Sequence, residues 1–115
     1  MAENSLEDAI EEAVAAFDSA NLAWGQFYQN MLPRRPADER LRAQAVRAAL
    51  GEAALDVPRD GVRAEVQVFV RSLEAARASL LVFLGSLPAG AATGDILQMP
   101  ETLQEAAEIL TPYIA

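Results

Sequence analysis

Val62–Val70 reads VRAEVQVFV, and the choice of fold hangs on it. Val62, Ala64, Val66, Val68 and Val70 recur at every second position, the signature of a half-buried strand. Val62, Val66, Phe69, Leu73, Leu80, Leu84 and Leu87 also fall on one stripe of a 3.6-residue period, and that stripe runs on with no glycine before Gly85. Strands rarely exceed about 10 residues, so length decides for a helix over roughly 60–86.

Upstream, DVPRDG (56–61) is a turn. Before it, the alanine-rich segment 36–50 predicts a second helix, opened by Pro36 and stopped at Gly51 as a C′ residue. Its apolar residues divide, with Leu41, Ala45 and Ala48 on one side and Val46 and Leu50 on the other. LPRRPAD (32–38) breaks the chain, because residues ahead of Pro33 and Pro36 are disfavoured in a helix. The segment 5–31 predicts a long first helix. Leu6, Ile10, Phe17, Trp24, Tyr28 and Met31 form its stripe, Ala13, Val14, Ala20 and Phe27 flank it, and Ser5 with Asp8 approximates a capping box. Downstream, PAGAATG (88–94) is a flexible connection, and a last helix over 100–111 opens at Pro100 and ends before Pro112. The expected fold is all-α, a small bundle of about four helices in up-down-up-down order, forming one domain over residues 1–115.

Charge is distributed unevenly along the chain. Residues 1–33 carry six acids and no base, residues 34–77 carry nine arginines and seven acids, and residues 78–115 carry four acids and no base. The net charge of −8 opposes nucleic acid and anionic lipid as partners. The arginines of RRPADERLRAQAVR (34–47) lack interleaved aromatics, and their expected role is to pair with the acidic first helix, in the same chain or a second copy. The acidic N-terminus lacks the basic start of a secretory signal, and no apolar run spans a bilayer, so a cytoplasmic location without a membrane partner is expected.

The residue inventory removes most catalytic chemistry. The chain contains no His and no Cys, which excludes thiol and imidazole catalysis, the usual zinc sites and the Glu-x-x-His motif of di-iron bundles. It also contains no Lys, so GAATGD (90–95) cannot work as a phosphate loop. Carboxylates remain at Glu7, Glu11 and Asp18, and at Glu101, Glu105 and Glu108; this spacing suits a hard cation but is the ordinary pattern of a solvated face. No cofactor is expected, and no enzymatic activity.

The candidate interface or pocket residues are Phe17, Asn21, Trp24, Phe27, Tyr28, Phe69 and Arg77. The aromatic residues share a helical stripe and suit a core, with Phe27 at its edge, while Gly25 beside it would allow a second helix close approach. Asn21 and Arg77 stand where apolar residues are expected, and a polar group inside a seam is costly unless paired. Asn21 would set helix register or lie at the stripe's edge, and Arg77 would hold an anion or extend along its stem to water. Val68, Leu81 and Val82 lie off the third helix's stripe, Val46 and Leu50 oppose Leu41, and Leu22 is on the polar side of the first helix. This surplus of apolar surface points to a non-enzymatic interaction module that self-associates as a homodimer or binds another protein. The alternative is a bundle binding a small apolar molecule or peptide in an aromatic-lined pocket anchored by Arg77.

Overall fold

The third segment is helical from Arg63 to Ser86 (α3), and its side chains show why the alternating pattern does not make a strand. Val66 and Val70 are buried while Val68, which would share their face on a strand, points to solvent. The buried positions Val66, Phe69, Leu73, Ala76, Leu80 and Phe83 advance by alternating steps of three and four, the spacing that keeps one seam inward. The seam passes through Ala76, so Arg77 lies beside it and not in it.

The computed structural model describes the backbone of residues 2–114 and the side chains of residues 6–114. Among these, α1 (Ala2–Asn30), α2 (Ala37–Leu55) and α4 (Met99–Leu110) complete an all-α bundle of four helices with no strand. Its dimensions are 50 × 21 × 19 Å. Since α1 starts at Ala2, Ser5 lies inside it and is not its N-cap; the side chain of Ser5 is outside the described residues. Helix α2 continues through Gly51 and reaches Leu55, five residues beyond the expected end. A helical glycine costs about 1 kcal/mol relative to alanine, and the good helix formers of EAAL with buried Ala53 outweigh it. The helix instead ends at Asp56, whose N–H bonds back to the carbonyls of Glu52 and Ala53, just before Val57 meets Pro58.

Successive helices run in opposite directions. Arg42 Nε donates to Ser86 Oγ at 3.1 Å, and the Ser72 hydroxyl donates to Asp56 Oδ2, tying α2 antiparallel to α3 at both ends. Arg77 Nε donates to the Pro100 carbonyl at 3.2 Å, and Arg63 Nη2 to that of Ile114 at 2.9 Å, doing the same for α3 and α4. Helix α1 packs along α4, α4 along α3 and α3 along α2. The connection before α4 contains a 3₁₀ turn, Gly94–Gln98, which places fully buried Ile96 in the core. Gly94 is required there: its φ is +60°, and a Cβ would stand 3.1 Å from Met31 Cε.

Some sequence assignments need correction. Val46 and Leu50 are core residues of α2, in line with Glu39, Ala43 and Ala53, and contribute no surplus surface; Leu41 opposite them is the exposed residue. Phe27 is in the core and not at its edge. A Cβ on Gly25 meets nothing within 4 Å, so no helix of the described residues approaches closely there.

Gly51 is likewise helical, exposed and open around its Cβ position. Gly51→Ala is expected to raise the unfolding free energy by about 0.5–1 kcal/mol, seen as a higher urea midpoint at unchanged slope. Phe83→Ala is expected to lower it by about 3–5 kcal/mol.

Candidate functional site

The aromatic candidates assemble inside the bundle. Phe17 of α1 meets Phe69 of α3 edge-on, ring centroids 5.7 Å apart. Trp24 and Phe27 meet Phe83 edge-on at 5.7 and 5.9 Å, and Trp24 lies 5.5 Å from Phe27. These five rings are buried and leave no open surface between them. The Trp24 Nε1–H is buried with no acceptor among the described residues, and a donor left so costs about 1–3 kcal/mol. The surrounding rings therefore hold it by packing alone.

Tyr28 is half-buried at the rim of this cluster. Its hydroxyl accepts a hydrogen bond from Arg47 Nη1 at 3.0 Å, and the Arg47 guanidinium carbon lies 4.8 Å from the ring centroid. This bond links α1 to α2. Asn21 is half-buried on α1. Arg77 is half-buried on the α4 side of α3, bonded to the Pro100 carbonyl. Arg77 is thus turned to α4 and away from the aromatic rings, while Asn21 lies one helical turn from both Phe17 and Trp24.

Among the described residues the arginine-rich segment makes no ion pair with α1; Arg47 bonds to the Tyr28 hydroxyl instead. The ion pairs among the described residues are Arg35–Glu39 at 3.1 Å and Arg42–Asp38 at 3.5 Å, both within the entry to α2. Glu39 is the one buried charged residue of the described chain. Arg35 holds it through Nε and Nη2 at 3.1 to 3.2 Å. Sequence reasoning missed Glu39, and Arg35 four residues earlier was the available sign. It also missed Phe83, which becomes visible once Ala76 is taken as a seam position. No group of acidic side chains suited to a metal ion is present among the described residues.

Since α1 packs against α4, the two base-free parts of the sequence lie side by side. Glu7, Asp8, Glu11, Glu12 and Asp18 of α1 are exposed on one half of the bundle, with Glu101, Glu105 and Glu108 of α4. All nine arginines belong to the other half, α2, α3 and their flanking turns. There the outward side of α3 carries Ala64, Val68, Arg71, Ala75, Ala78 and Val82, all exposed. Val68 is 45% exposed, Leu81 42% and Val82 72%, as expected for residues off the seam. A shallow groove between α2 and α3 is lined by Ala49, Glu52, Val68, Arg71, Ser72 and Ala75. It leads into a second groove of about 350 Å³ at the α2–α3 turn, with Leu55, Val57, Ala64 and Val68 as walls and Asp56, Arg59 and Glu65 at the rim. Leu55 is 80% exposed there. No helix of the described residues is long and apolar enough to cross a membrane.

No protein-family model, curated protein or solved structure matches the chain.

Trp24 is the chain's single tryptophan. Its emission is expected at the blue, apolar end of the tryptophan range and to resist iodide quenching until the bundle unfolds. Quenching in the native state would remove Trp24 from the core.

Proposed function

We propose that this chain is a non-enzymatic helical interaction module that self-associates through the outward face of α2 and α3, most simply as a twofold homodimer. The observation that carries this reading is the unclaimed apolar surface there: Val68 and Val82 on α3, and Leu55 at the head of the groove. Apolar surface gains about 25 cal/mol for each Å² removed from water, and contiguous exposed patches ordinarily mark contacts.

Charge favours the same face. The α1–α4 half bears acids without a base, so two copies meeting through it would repel. Around the α2–α3 grooves, Arg59 and Arg71 are interspersed with Glu52 and Glu65, and a copy of the same surface meets charges of both signs. The acidic half then faces away from the contact and keeps the assembly soluble and closed. Neither nucleic acid nor membrane is a partner in this reading, and the cytoplasm is the compartment it assumes. The carboxylates of α1 and α4 act as a solvated face and not as catalysts. The aromatic rings, packed ring to ring, lend little support to a ligand pocket.

The test is the solution mass by light scattering across a dilution series. The expected value is twice the chain's 12.3 kDa, returning to the single-chain mass when Val68 and Val82 are both replaced by Asp, with helical circular dichroism unchanged. A single-chain mass at every concentration overturns the reading.

A further inference from the structure

We infer that the two copies meet through antiparallel α3 helices, about a twofold axis level with Leu73, so that Val82 of each copy enters the groove walled by Leu55, Val57, Ala64 and Val68 of the other. This rests on the self-association proposed above and assigns its register.

The outward residues of α3 complement one another in size when the helix is reversed. Ala64 and Val82 lie nine residues to either side of Leu73, Val68 and Ala78 lie five, and Arg71 and Ala75 lie two. An antiparallel twofold at that level makes three kinds of layer, Val82 on Ala64, Val68 on Ala78 and Arg71 on Ala75. Each sets a large side chain against an alanine, the alternation that close helix packing needs. The groove supports the same register. It is centred near Ala64, about 13 Å along the axis from Leu73 at 1.5 Å per residue, and Val82, 72% exposed, stands the same distance the other way. One end of the face is a hole and the other a knob, with equal offsets from the axis.

Charge excludes the parallel alternative. A parallel twofold sets Arg71 against Arg71, alanine against alanine and valine against valine, leaving gaps beside a repulsion. The antiparallel one places each Arg71 beside Glu74 of the second copy, one residue from the Ala75 that it covers. Arg71 and Glu74 are both exposed and without an ion pair among the described residues, so two reciprocal bridges are available at the centre of the contact.

The absence of cysteine from the chain makes a direct test available. Val68→Cys and Ala78→Cys are prepared separately; both sites are exposed, and circular dichroism checks their folding. Under mild oxidation the 1:1 mixture is expected to form a covalent dimer, while each variant alone is not. Cross-linking of each variant with itself establishes a parallel contact and overturns the register. So does a mixture that fails to cross-link although its mass stays dimeric; self-association stands in both cases. A single-chain mass for the unmodified protein removes both proposals together. A second measurement uses charge: Arg71→Glu is expected to weaken the dimer at least tenfold, and adding Glu74→Arg to restore it to within a few-fold. Equal weakening in the double variant overturns the pairing.

Discussion

The edge-on meeting of Trp24 and Phe27 with Phe83, repeated by Phe17 against Phe69, is the contact on which the rest of the bundle depends. It joins α1 to α3 across the diagonal, where the backbones stay apart and only large rings fill the space. With that diagonal set, α4 fits against both helices on one side and α2 closes on α3 from the other. The small seam residues Ala13, Ala20, Ala76 and Ala106, all buried, let the neighbouring helices approach around the rings. Aromatic pairs of this geometry add about 0.5–1.5 kcal/mol beyond the area they bury. That contribution helps to offset the unpaired indole N–H enclosed among them.

From this arrangement the charge pattern follows. Linear order places acids at both ends of the sequence and arginines in its middle. The fold brings the ends together along one edge, and among the described residues no ion pair joins the middle of the sequence to the first helix. The arginines turn to nearer acceptors instead: Glu39 for Arg35, the Tyr28 hydroxyl for Arg47, carbonyl oxygens for Arg63 and Arg77. The result is a bundle with one acidic half and one half that carries charges of both signs beside exposed Leu55, Val68 and Val82.

Helix existence and order were legible in the sequence because long apolar stripes survive small errors of phase. The α3 stripe was read from Val62 through Leu87, and Val66, Phe69, Leu73 and Leu80 are indeed buried. The stripe and the seam part after Leu80, where the seam steps by three to Phe83 and the stripe by four to half-buried Leu84; Ala76 carries too little side chain to mark that alternation in the sequence. The end of α2 was misplaced because Gly51 was weighed alone and the good helix formers after it were not. Phe27 illustrates the limit of a helical wheel: a stripe has a width, and the neighbours decide where it ends. Val68 and Val82 are legible as exposed, since a residue opposite the seam of an amphipathic helix has only solvent or another molecule to face.

The ring contacts have a further consequence in time. Phe17 waits for Phe69, Trp24 for Phe83, and Met31 for Gly94, whereas α2 and α3 meet across a short turn and close locally. Loop closure costs more, and proceeds more slowly, as the separation grows. The hairpin of α2 and α3 is therefore the early unit. Helix α1, made first as the chain is synthesised, docks only when α4 exists to receive it. Until then Phe17, Trp24 and Phe27 face water on a helix without a partner, beside the six acids of the first 33 residues.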